Sequence, residues 1–129
     1  MPAPIKNLDQ LLQLADPELQ PGIYVFVSVA EPVTIPIEEA IMSFRESEGL
    51  TLVLSKELAL VHGLAFEYEA CWITMKVTSA LEAVGFTAAF ATALARHNIS
   101  CNVVAGYHHD HLFVAASDGE RAVNILKKL

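Results

Sequence analysis

The sequence predicts an α+β fold made of two similar units, with antiparallel sheets covered by helices on one face. Three observations carry this. Short runs of β-branched residues alternate with segments of helical periodicity, turns rich in glycine or proline separate them, and the order of elements in the first half returns in the second.

Leu8, Leu11, Leu12 and Ala15 fall at i, i+3, i+4 and i+7, which predicts a short amphipathic helix over residues 7–15, ended by Pro17. After Pro21-Gly22, residues 23–29 have the β-branched and aromatic composition of a strand. Pro32 and Pro36 keep residues 31–37 irregular. Residues 40–45 and 50–54 read as strands with Glu48-Gly49 turning between them. Ser55 then opens a helix that Gly63 closes, because a serine hydroxyl caps free N–H groups and glycine tolerates a left-handed exit.

The second half reads as strand 70–77, helix 86–97, strands 99–106 and 111–115, and helix 118–128. Phe86, Ala89, Phe90, Ala93, Leu94 and His97 form one stripe on the central helix. Ser117 and Glu120 have capping-box spacing. Each half therefore runs helix, strand, strand, helix, with Leu50 to Ser55 matching Leu112 to Ser117, and the chain divides into a first unit over residues 1–65 and a second over 66–129. This order is that of ferredoxin-like units in tandem.

The 129 residues suffice for one ordinary domain or two small ones sharing a core. Hydrophobic residues make up 53% and the mean hydropathy is +0.42, above the roughly 45–50% usual in soluble domains. The excess predicts surface buried in a homodimer or higher homo-oligomer. The net charge of -7, from 15 acidic against 8 basic residues, and the lack of any basic cluster beyond Lys127-Lys128 argue against nucleic acid. Pro2, Pro4 and Asp9 interrupt any apolar leader, and no apolar run approaches the ~20 residues of a spanning helix, so a cytoplasmic protein without a membrane partner is expected. Cys71 and Cys101 alternate with apolar neighbours and read as buried free thiols.

Four segments together resemble the ACT-domain proteins: Gly22-Ile-Tyr-Val-Phe, Phe44 to Leu54, Ser79-Ala-Leu-Glu-Ala-Val-Gly-Phe-Thr-Ala and His109-Asp-His-Leu-Phe-Val. The resemblance spans nearly the whole chain and implies a small tandem ACT protein. It further implies a regulatory or sensing module, not an enzyme, that binds a small molecule, usually an amino acid, at the first strand-to-helix loop. That loop commonly reads acidic residue, variable residue, proline, glycine in the family. Here it reads Glu82-Ala83-Val84-Gly85, with valine in place of proline.

Physical chemistry gives the same loop a reason to bind. The first N–H groups of a helix lack intrahelical partners and carry partial positive charge, which attracts a carboxylate. Glu82, before them, can meet an ammonium group. The expected ligand side of the pocket is Glu82, Val84, Gly85 and Phe86. Ser79 and Glu82 also have capping-box spacing, a purely local role. Glu46 and Glu48 are a second candidate, since alternation on a strand puts both on one face able to hold a cation, with a solvated turn as the plain alternative.

His109 and His111 share a face if their strand is regular, and with a distant carboxylate would make a metal-dependent enzyme, although no third ligand stands at metal-site spacing. A hairpin tip is the structural alternative for His108 to His111. Trp72 is expected to pack on its strand. Nucleophile and nucleotide signatures are absent, so no catalytic residue, metal or cofactor is expected. A structural or oligomerisation module without ligand remains the alternative from another class.

Overall fold

The computed structural model describes residues 3–129. In chain order its elements are α1 (Leu8–Gln13), β1 (Pro17–Leu19), β2 (Tyr24–Val29), β3 (Met42–Glu46), β4 (Gly49–Ser55), α2 (Lys56–Val61), β5 (Glu69–Met75), α3 (Phe86–Arg96), β6 (Asn102–Ala105), β7 (Asp110–Ala115) and α4 (Gly119–Leu126). They divide into two units, Gly22–Ala70 and the remainder. The N-terminal segment therefore packs with the second half of the chain, across the order of the sequence repeat.

In the smaller unit, β4 is flanked by antiparallel β2, from Tyr24↔Ser55 to Val29↔Leu50, and by antiparallel β3, from Met42↔Val53 to Glu46↔Gly49. β2 also pairs with the start of β5 through Tyr24↔Ala70. Val25 and Val27 alternate inward onto Leu50, Leu52, Leu54 and Ala59, which form the core. The β3 strand starts later than the sequence suggests, because Ala40 closes a 3-10 turn by donating its N–H to Ile37 O. The α2 boundaries follow local chemistry: Ser55 Oγ accepts the Leu58 N–H at 3.2 Å, and Gly63 exits at φ +65°.

In the larger unit, β7 lies between β5 and β6, and β1 pairs with β5 from Pro17↔Met75 to Leu19↔Ile73. The β6–β7 hairpin runs from Asn102↔Phe113 to Ala105↔Asp110, its tip closed by the Gly106 N–H on His109 O at 2.9 Å. Leu11 of α1, Phe86, Phe90 and Leu94 of α3, and Ala122 and Leu126 of α4 share a core with Ile73, Met75, Leu112 and Val114. His97, placed by periodicity on the α3 stripe, is exposed and caps the helix end instead. Cys71 is buried, while Cys101 is only half-buried, since β6 begins after it.

β1 has no counterpart in the sequence reading. Three residues starting in proline carry no periodicity, and only the pairing with β5 makes them a strand. The Ser117–Glu120 capping box is likewise not formed: residues 116–118 make a 3-10 turn, and Asp118 turns to Arg121 at 3.1 Å. α4 starts at Gly119, which lies so close to Cys71 that a Cβ there would stand 2.8 Å from Sγ.

The repeat is visible in burial. Leu50, Leu52, Val53, Leu54 and Ala59 are buried, and so, sixty residues later, are Asp110, Leu112, Phe113, Val114 and Gly119. Leu52, not Leu50, therefore corresponds to Leu112, because the helical turn after the strand opens at Lys56 in the first repeat and at Ala116, before Ser117, in the second. At one position of this correspondence a buried leucine, Leu50, is replaced by a buried carboxylate, Asp110.

Candidate functional site

The loop over residues 76–85 leaves the end of β5 and enters α3, and two other segments pin it. Ile5 donates its N–H to Thr78 O at 2.8 Å and accepts the Ala80 N–H at 2.9 Å, bringing Pro4 and Lys6 alongside. From the β6–β7 hairpin, His109 donates from Nδ1 to Val77 O at 3.3 Å, and Asp110 Oδ2 accepts the Ser79 hydroxyl at 3.1 Å. A cavity of about 260 Å³ opens here, lined by Pro4, Ser79, Ala80, Leu81, Glu82 and Tyr107.

Gly85 stands at the N-cap of α3 with φ +96° and no side-chain cap, a conformation that glycine adopts without steric cost. Past it, the first-turn N–H groups have no intrahelical carbonyl to reach. Phe86 is buried, packed edge-on against Phe90 at 5.2 Å, so only its backbone is available to the loop. Val84 is 83% exposed. Glu82 Oε1 pairs with Lys6 Nζ at 2.6 Å, both at the surface.

Of these four loop residues, Glu82 is the one lining the cavity. The Ser79–Glu82 capping box does not form, because the helix begins only at Phe86; the Ser79 hydroxyl donates to Asp110. Glu46 and Glu48 lie in the smaller unit. β3 ends at Glu46, which accepts from the Thr51 hydroxyl, and Glu48 sits in the following turn, so strand alternation does not extend to it.

His109 and His111 are engaged in the framework. Trp72 donates from Nε1 to His111 Nδ1 at 3.0 Å. Indole is only a donor, so this nitrogen of His111 is unprotonated and the ring is neutral. Gln20 donates to Thr74 Oγ1, which lies 3.0 Å from the same Nδ1. Burial lowers the His111 pKa, the neighbouring His109 adds to this, and Asp110 opposes it. Trp72 also stacks on Phe113. Among the described residues no group of three or more His, Cys, Asp and Glu side chains is placed to hold a metal ion. The two thiols are also insulated: burial raises the Cys71 pKa, and pushes that of Cys101 up to about 11.

Sequence reasoning did not find Pro4, Lys6, Tyr107 or Asp110 as neighbours of the loop. Asp110 alone had a local signal. Counting back by two from the buried Val114 and Leu112 places it on the same face of the strand.

Two family models, each described as the ACT domain, match the chain, one over residues 3–71 and the other over residues 67–128. The chain belongs to the ACT-domain family. No curated protein matches it. Among solved structures, this ACT protein is similar to a Vibrio cholerae protein of unknown function, described as a possible transport protein. The two are 48% identical over 94% of each chain, with a TM-score of 0.85. It is also similar in fold to the regulatory subunits of aspartate kinase from Thermus thermophilus and Thermus flavus. The first has 9% identity, 90% of this chain and 97% of that chain covered, and TM-score 0.64. The second has 8% identity, 87% and 95% covered, and TM-score 0.61. The tandem ACT architecture and the α+β fold with antiparallel pairing are thus as the sequence predicts. Among the described residues no helix is long and apolar enough to cross a membrane.

Proposed function

We propose that this protein is a non-catalytic, cytoplasmic regulatory or sensor module that binds a free amino acid beside the entry to α3. The observation that carries the reading is the coincidence, in an ACT domain, of an uncapped helix start at Gly85 with a cavity in the same loop. The ligand carboxylate would accept from N–H groups after Gly85, near Val84 and the Phe86 backbone, where the helix dipole favours negative charge. Glu82 supplies negative charge for an ammonium group. ACT membership and the regulatory-subunit likenesses support a ligand-binding regulatory role.

A thermal-shift panel of the proteinogenic amino acids tests this. Ligand at 100 times its dissociation constant stabilises by ~2.7 kcal/mol, and one or a few members are expected to do so. A panel with no stabilising member at millimolar concentration would reject the reading in favour of a module without ligand.

Self-association is part of the proposal, and one surface supports it. Phe44 is 64% exposed on β3, which pairs on one side with β4 and is terminal in its sheet order. Sedimentation equilibrium should show a species larger than the monomer, shifted toward monomer by Phe44→Lys. A monomer at high micromolar concentration would refute it.

A further inference from the structure

We propose that Ser79, backed by the buried carboxylate of Asp110, is the point in this cavity that recognises a ligand's amine, and that the ligand pairs this amine with an apolar body. The inference rests on the reading that a small molecule occupies this end of the larger unit, and it moves the amine from Glu82 to Ser79.

Asp110 is 8% exposed. Burying a carboxylate is unfavourable unless its acceptor sites are filled, and an ionised carboxylate offers about four of them. Among the described residues, the Ser79 hydroxyl is its one side-chain hydrogen-bond partner. The other repeat shows that the fold does not require a charge here, since Leu50 fills the corresponding place at 6% exposure. A residue that disfavours burial and is replaceable by leucine within the same architecture points to a role beyond packing.

That role follows from hydrogen-bond direction. The carboxylate can only accept, so Ser79 must spend its proton on Asp110. Its Oγ, on the wall of the cavity, is then left with lone pairs and selects a donor such as an ammonium. The negative charge behind the hydroxyl strengthens that choice. Asp110 thus acts as a positioning residue through Ser79. Glu82 is less suited, because Lys6 already neutralises it at 2.6 Å.

The rest of the lining decides the body of the ligand. Pro4, Ala80, Leu81 and Tyr107 offer apolar contact, and Leu81 and Tyr107 are both among the exposed large hydrophobic residues. Two such side chains at one cavity mouth gain by covering an apolar group.

The test uses the isotopically labelled full chain, with amide shifts of residues 79–86 and Tyr107 as the readout. The probes are L-leucine and L-phenylalanine and their deaminated counterparts, 4-methylpentanoate and 3-phenylpropanoate. At least one amino acid should bind ten or more times more tightly than its deaminated counterpart. Asp110→Asn and Ser79→Ala should erase that preference. Asp110→Leu, which installs the residue of the other repeat, should erase it while melting at or above the wild-type temperature.

Equal binding of amine and deaminated compounds to the wild-type protein would overturn the inference, as would a preference that persists in the Asp110 and Ser79 variants. A lower melting temperature in Asp110→Leu with the preference retained would assign Asp110 to structure alone. If none of the four probes shifts residues 79–86, the amino-acid reading itself falls. Binding without amine preference sinks only the assignment to Ser79 and Asp110.

Discussion

Replacing Gly85 with alanine asks whether the left-handed entry to α3 holds the preceding loop in shape. Gly85 has φ +96° and ψ -13°, and an L-residue forced into left-handed backbone loses about 1–2 kcal/mol. The added Cβ would stand 3.2 Å from Leu8 Cδ2. That atom is the end of a flexible side chain, so a shift of a few tenths of an ångström relieves the contact and backbone strain dominates. For a chain of 129 residues the entropy of unfolding near the midpoint is about 0.27 kcal/mol/K. The expected fall in melting temperature is therefore roughly 4–7 °C.

Gly63→Ala supplies the comparison, because Gly63 also has positive φ, +65°, but nothing lies within 4 Å of its added Cβ. It isolates backbone strain from crowding. Thermal and urea unfolding of both variants, and of Gly85→Ala combined with Leu8→Ala, separate the contributions. A Gly85→Ala protein that melts within 1 °C of wild type would refute the reasoning, since the loop would then reach a relaxed backbone without cost. So would a loss above about 3 kcal/mol that Leu8→Ala does not relieve, since left-handed strain accounts for only ~1–2 kcal/mol.

Three further outcomes are expected. The folded-state pKa of His111 lies below its unfolded value, so its contribution is complete above about pH 6.5 and is lost as pH falls through the folded value. The urea midpoint should accordingly drop on acidification, and drop less in His111→Gln; an equal acid sensitivity in that variant would exclude His111 as the source. Cys101, its thiol pushed up to about 11, should react with iodoacetamide at neutral pH on the order of a hundredfold more slowly than an unperturbed thiol, and alkylation at the rate of free glutathione would contradict the burial. Phe90, fully buried and edge-on to Phe86, should cost about 3–5 kcal/mol on replacement by alanine, read from urea denaturation; a loss below 1 kcal/mol would mean it is not central to the core.

Element by element, what was legible depended on range. The Ser55 cap and the left-handed exit at Gly63 are each decided within four residues, and both appear as read. The capping boxes at Ser79 and Ser117 had equally good spacing and failed. No helix opens at Ser79, since α3 starts only at Phe86, and α4 starts at Gly119 against Cys71. The loop itself was legible from Gly85, because glycine before a helical stripe has a specific conformational reason. Its walls were not, since Pro4 and Tyr107 lie far from it in sequence and neither carries a signal in its own neighbourhood.

The sequence by itself determined the α+β class, the tandem order of strands and helices, most of the turns, and the ACT likeness with its loop at Glu82 to Phe86. These follow from periodicity and from the short-range steric rules of glycine, proline and serine. Tertiary structure alone decided that residues before Pro21 pack with the second half, that β1 exists, and that Asp110 stands behind Ser79. Each of these depends on hydrogen bonds or burial between distant segments. Which polar group meets which is settled there by what chain folding leaves adjacent, not by local preference.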